Sequence, residues 1–158
     1  MNHDIDIKKV RVNCFRQSKV AGEFMLQLRV PGGLIDAKYL SVIQEICQRW
    51  GNGTFHMGTR QTLNAPGIKY EYIDEVNKFI KDYIKGVDVE MCDVDMEVND
   101  AGYPTIGARN VMSCIGNAHC IKGNVNTYKL ARKIEKLVFP SHYHIKVAVA
   151  GCPNDCVK

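Results

Sequence analysis

Four of the seven cysteines in this chain fall in two close pairs, and these pairs constrain the fold more than any other feature. Cys114 and Cys120 enclose "IGNAH", while Cys152 and Cys156 enclose "PND". Each pair lies in a loop that contains Gly or Pro, so its thiols can converge on a centre from several directions. Gly116, Gly151 and Pro153 let the backbone pass close to a bulky inorganic core. An iron–sulfur cubane held by four thiolates is one reading; structural zinc and four unrelated core thiols are the others. The spacing matches neither the C-x2-C of zinc knuckles and redox dithiols nor the C-x2-C-x2-C of bacterial ferredoxins. Cys47 falls on an apolar helical stripe and reads as a core thiol. Cys14 and Cys92 read as structural, and His119 as facing solvent or backbone rather than a metal.

Compartment decides what so many thiols are for. The opening "MNHDIDIKKVRVNCF" has early acidic residues and no apolar signal core, which predicts a cytoplasmic chain. In a reducing compartment thiols bind metal or do chemistry more often than they cross-link. Apolar runs are as short as "VAVAG", so no membrane span is expected. A net charge of +4 without a basic run argues against a nucleic-acid partner. "GTRQT" is not a P-loop and no G-x-G-x-x-G follows a strand, so no nucleotide-binding glycine motif is read in this sequence.

Periodicity supplies the scaffold. "FMLQLRVP" alternates as a strand, with Met25, Gln27 and Arg29 on one face and Leu26, Leu28 and Val30 on the other. Asp36 is placed to cap the helix that follows, whose Ile43, Ile46, Cys47 and Trp50 make one apolar stripe. "TFHMGTRQTLNAPGI" reads as a strand pair or one bent strand, on which His56, Gly58, Arg60, Thr62 and Asn64 form a polar row. A second helix over roughly 70–85 buries Ile73, Val76, Ile80, Tyr83 and Ile84. Residues 20–85 therefore read βαββα, a compact α+β unit after an N-terminal extension at 1–19, with a boundary near 86–100. A helix from Asn126 to about Val138 and a strand "YHIKVAVA" follow. On that strand His142, His144 and Lys146 share a face.

Taken together, C-x5-C…C-x3-C, "LRVPGG" (28–33), "TRQT" (59–62) and "ARNVMSC" (108–114) resemble the sirohaem-dependent sulfite and nitrite reductases over nearly the whole chain. The N-terminus and "PSHYHIKVAVAGCPNDC" look most like the anaerobic, NADH-linked branch. The resemblance implies a ferredoxin-like half-domain followed by the start of an α/β sirohaem/[4Fe-4S]-binding domain over 86–158, the first part of a longer polypeptide. It implies a [4Fe-4S] cluster on Cys114, Cys120, Cys152 and Cys156, with Cys156 also bridging to the sirohaem iron. It further implies reduction of sulfite, or alternatively nitrite, with electrons from flavin/NADH-linked and iron–sulfur partner subunits. A non-enzymatic iron–sulfur or zinc docking module is the reading from another class.

Sirohaem is a polycarboxylate, so its cradle calls for cationic and amide donors. His56, Arg60, Gln61, Thr62 and Asn64 are the candidates. Arg109 matches one family arginine that faces the bound oxyanion. The departures lie elsewhere: Gln27 stands where a second arginine is expected, and His142-Tyr-His144 stands where the family has Lys-x-Lys. His142 and His144 would then serve as titrating anion ligands and proton donors.

Overall fold

The computed structural model describes residues 5–98, 110–141 and 143–157. Arg109 and His142 lie outside the described residues. A short helix α1 (Ile7–Val12) leads into a four-stranded antiparallel sheet made of β1 (Phe15–Gln17), β2 (Glu23–Leu28), β3 (His56–Met57) and β4 (Leu63–Lys69). Its strand order is β1-β2-β4-β3. The sheet starts within the segment expected to be an extension: Phe15 pairs with Leu26 and Arg16 with Met25. A three-residue edge strand is too short to show alternation, so only the pairing reveals it.

Alternation then decides the faces. Phe24, Leu26 and Leu28 are buried on one side of β2, with Leu63, Ala65 and Ile68 beside them on β4. On this side the sheet shares one core with α2 (Leu40–Arg49) and α3 (Ile73–Phe79). The predicted stripe of α2 is present, since Ile43, Ile46, Cys47 and Trp50 are all buried. Asp36 caps a single 3-10 turn, Ala37–Tyr39, through a 3.0 Å bond accepted from the Lys38 N–H, and that turn feeds α2. The second helix runs on past α3 into α4 (Lys81–Ile84) and a π-helical turn, Lys85–Glu90. Trp50 packs its ring 5.2 Å from Phe79 and donates to Glu75 at 3.0 Å.

One irregularity positions the polar face. Between Phe24 and Leu26 the β2–β4 register shifts, so Pro66 and Gly67 oppose a single residue. A bulge tolerates the proline, which has no N–H to donate. Gly67 adopts φ +84°, and a Cβ there would lie 3.0 Å from the Asn52 backbone nitrogen.

The second unit is a βαβ crossover. β5 (Met112–Ser113) and β6 (Ala148–Val149) pair in parallel, joined through α5 (Thr127–Val138). Asn126 caps α5 by accepting from Lys129 N–H at 3.0 Å. Val111, Ala131 and Val149 form its small core. The strand expected over "YHIKVAVA" narrows to Ala148–Val149, because β5 offers a neighbour only two residues long. The chain before it still alternates between exposed and half-buried residues.

A buried ionic cluster joins the two units. Arg29, at the end of β2, pairs with Glu135 of α5 and with Asp88 of the π-helical turn, the latter at 3.5 Å. Glu135 also accepts from Val111 N–H at 2.6 Å, two residues before Ser113. The Arg29 guanidinium stacks 3.7 Å from the centre of the Phe139 ring, and its own carbonyl accepts from the Tyr83 hydroxyl at 2.6 Å. One guanidinium serves two carboxylates. Burial pushes Asp88 up to about 7 against the pull of Arg29, and burial likewise raises Glu135.

Candidate functional site

The face of the sheet turned away from the core is the floor of a cavity of about 420 Å³. Three cross-strand neighbours form its central rung: Gln27 on β2, Asn64 on β4 and His56 on β3. Asn64 Nδ2 lies 3.2 Å from His56 Nδ1, and Gln27 Nε2 donates to Thr62 Oγ1 at 3.4 Å. The loop of the β3–β4 hairpin closes through a 2.7 Å bond from Gly58 N–H to the Thr62 carbonyl. A Cβ on Gly58 would lie 2.1 Å from Thr62 Oγ1, so only glycine fits that corner.

All five residues of the sequence row, His56, Gly58, Arg60, Thr62 and Asn64, line this cavity together with Gln27. They do so across a hairpin turn rather than along one pleat. Arg60 donates to the carbonyls of Asn110 at 3.1 Å and Val147 at 2.8 Å, which ties the hairpin to the segments leading into β5 and β6. Asn110 returns two 2.8 Å bonds, to the carbonyls of Val30 and Arg60. Sequence reasoning missed Arg16, Arg29, Asn110 and Lys146, which all line the same cavity. Arg16 is placed by its pairing with Met25, a register that no local pattern reveals. His144 is exposed, and Lys146, two residues further along, lines the larger cavity.

A second cavity of about 230 Å³ is ringed by Cys114, Cys120, Cys152 and Cys156, with Gln61, Ser113 and Asp155 among its other neighbours. The two cysteine loops are bonded to each other. Gly151 N–H donates to Cys114 Sγ at 3.2 Å, and Asn124 N–H donates to the Gly151 carbonyl at 2.9 Å. Thr127 Oγ1 donates to the Cys114 carbonyl at 2.6 Å, holding the first cysteine loop on the N-terminus of α5. A Cβ on Gly116 would sit 2.3 Å from that same Thr127 oxygen. Cys14, Cys47 and Cys92 are buried elsewhere, as expected of core thiols. Burial raises the Cys47 thiol and pushes Cys92 up to about 12. His119 is exposed, its ring tilted against Tyr128.

The residues fit the two groups that the sequence implies. Among the described residues no three His, Cys, Asp or Glu groups close on a single ion. Four thiols spread around one cavity, with an N–H already aimed at a sulfur, suit a polynuclear centre better than zinc. The larger cavity joins cationic and amide groups, and its buried Asn64 Oδ1 and Asn110 Oδ1 have no partner among the described residues. Such a wall is completed by a polar ligand. Gln61 departs from the cradle expected of it: its side chain lines the cysteine cavity, not the larger one.

An antiparallel sheet covered by helices on one face, joined to a crossover unit with paired cysteine loops, defines a redox-type α+β architecture. The chain belongs to the nitrite and sulfite reductase family. Residues 16–83 match the nitrite/sulfite reductase ferredoxin-like half domain, and residues 105–158 match the nitrite and sulphite reductase 4Fe-4S domain. A polypeptide of the anaerobic sulfite reductase of Salmonella typhimurium is 49% identical over 159 residues, covering 100% of this chain and 47% of that protein. The coenzyme F420-dependent sulfite reductase of Methanocaldococcus jannaschii is 37% identical over 144 residues, 87% of this chain and 20% of that protein. Among solved structures, dissimilatory sulfite reductase I superposes with a TM-score of 0.63 at 18% identity, over 85% of this chain and 30% of its own. The NirA protein of Mycobacterium tuberculosis does so with 0.61 at 16% identity, over 93% and 30%. These structures share the fold. The chain spans about half the length of the Salmonella relative, at 47%. Among the described residues no helix is long and apolar enough to cross a membrane.

Proposed function

We propose that this chain carries the sirohaem- and [4Fe-4S]-binding part of a cytoplasmic sulfite reductase that forms sulfide, with electrons delivered by flavin- and iron–sulfur-containing partner subunits. The observation that carries the reading is the juxtaposition of two cavities, one ringed by four thiols and one by cations and amides, separated by the peptide of residues 60–61. Relatives named as sulfite reductases favour sulfite over nitrite. Bound here, the two groups would supply one-electron delivery and an iron site for the sulfur of sulfite.

The chain's own residues do the rest. Cys114, Cys120, Cys152 and Cys156 would hold the cluster as thiolates, and Cys156, by its place in the motif, would also serve the haem. The Gly151 N–H stabilises thiolate charge on Cys114. In the larger cavity Arg16, Arg60 and Lys146 offer positive charge to carboxylates and oxyanions. Arg29 lines it too, but its charge is offset by Glu135 and Asp88. Gln27, His56, Thr62 and Asn64 supply a floor of amide, hydroxyl and imidazole groups that orients an anion. From the sequence pattern alone, Arg109, His142 and His144 are assigned to the oxyanion and its protons.

The test is the visible spectrum of the full-length chain purified without oxygen, followed by sulfide release from sulfite with a chemical reductant. Haem bands over a broad iron–sulfur shoulder, with sulfide formed, are expected. A colourless zinc protein, or a cluster protein without haem that leaves sulfite intact, would overturn the reading.

A further inference from the structure

Arg60 and Gln61 are consecutive, yet their side chains go to different cavities. Gln61 takes φ +57°, unusual for a residue with a Cβ, and this turns its carboxamide away from Arg60. The carboxamide then pairs with both backbone groups of one residue. Gln61 Nε2 donates to the Ser113 carbonyl at 2.8 Å, and Ser113 N–H donates to Gln61 Oε1 at 3.0 Å. A primary amide presents the same donor and acceptor as a peptide group, so Gln61 acts as a one-residue strand on β5. Space for it is reserved: Gly33 has φ +70°, and a Cβ there would lie 2.7 Å from the Gln61 carboxamide carbon. Ser113 Oγ is itself tied to the Gly32 carbonyl at 2.8 Å. The residue clamped in this way immediately precedes Cys114.

We infer that Gln61 is a positioning residue for the cluster, fixing the Cys114 strand from the tip of the half-domain hairpin rather than contacting the tetrapyrrole. The inference rests on the reading that the four-thiol cavity holds a [4Fe-4S] cluster. β5 is only two residues long, so its ladder to β6 gives few bonds, and the Gln61 pair adds two at the cysteine end. The hairpin that lines the larger cavity through Arg60 thereby also sets the geometry of a cluster ligand. Two cofactor sites that must stay in register share one rigid turn.

The test uses the full-length chain with Gln61→Leu and Gln61→Glu, the latter keeping the acceptor for Ser113 N–H but losing the donor to its carbonyl. Iron, acid-labile sulfide and haem per chain are measured, with the electron paramagnetic resonance spectrum and midpoint potential of the reduced cluster. For Gln61→Leu we expect iron and sulfide at least twofold below wild type, or a retained cluster with altered resonance line shape and shifted potential. Gln61→Glu should show the same changes more weakly. It decides alone if the leucine variant does not fold. Wild-type iron, sulfide, line shape and potential in the folded variants would overturn the inference, as would loss of haem from a variant with a normal cluster. A wild-type chain without iron and sulfide would overturn the functional reading, and this inference with it.

Discussion

Replacing Asp88 with asparagine should make the chain relatively more stable the higher the pH. Asp88 is wholly buried, and its only described cationic partner, Arg29, is shared with Glu135. Desolvation dominates, Arg29 opposes it and Glu135 adds to it, so the carboxyl rises from 3.8 to about 7 in the fold. A raised acid holds its proton in the native state through a range where the unfolded chain has released it. Its contribution to stability is therefore complete below the unfolded value and is lost as pH climbs to the folded one. About three pH units at roughly 1.4 kcal/mol each put the whole effect near 4 kcal/mol. Asparagine neither binds nor releases that proton and can still accept from Arg29. The stability of Asp88→Asn minus that of wild type should then rise by about 3 kcal/mol between about pH 5 and about pH 8. Urea unfolding followed by Trp50 measures it, since Trp50 is the single tryptophan and is buried beside Phe79. Two unfolding series that run parallel across that range would show that Asp88 is not the titrating group and refute the reasoning.

Arg29→Met leaves two carboxylates buried without their cation and removes the stack on Phe139, so it should cost about 3–5 kcal/mol in chemical denaturation. In reduced, cluster-free protein, Cys114, Cys120, Cys152 and Cys156 should alkylate first, while buried Cys14, Cys47 and Cys92 react only after unfolding; peptide mass spectrometry reads the order. Gly58→Ala drives a Cβ into Thr62 Oγ1 at the corner of the larger cavity, and should destabilise the hairpin by about 1–3 kcal/mol while lowering haem content.

Much of the scaffold was legible because the signals were local. Alternation assigned the faces of β2, the stripe of Ile43, Ile46, Cys47 and Trp50 assigned α2, and Asn126 marked the start of α5. Other features were written just as locally but depended on partners far away. The edge strand Phe15–Gln17 exists only by its pairing with β2, and the strand over 143–150 shrank because its neighbour is short. Glu135 could have been flagged, since a carboxylate on the stripe with Ala131 needs a buried cation. Nothing local names that cation as Arg29, more than a hundred residues away, at |i−j| = 106.

The site divides along the same line. The spacing of Cys114, Cys120, Cys152 and Cys156 in glycine- and proline-containing loops already pointed to a four-thiol centre, because ligand type and local reach are properties of a short segment. The polar character of the 56–64 stretch was equally plain. Tertiary structure alone decided that Arg16 and Lys146 join that row, and that Gln61 turns from it to the backbone of Ser113. Those outcomes turn on strand register and on one left-handed residue at a hairpin turn. A shift of one position in either sends a side chain to the opposite face, and only the closed packing of the two units fixes which face that is.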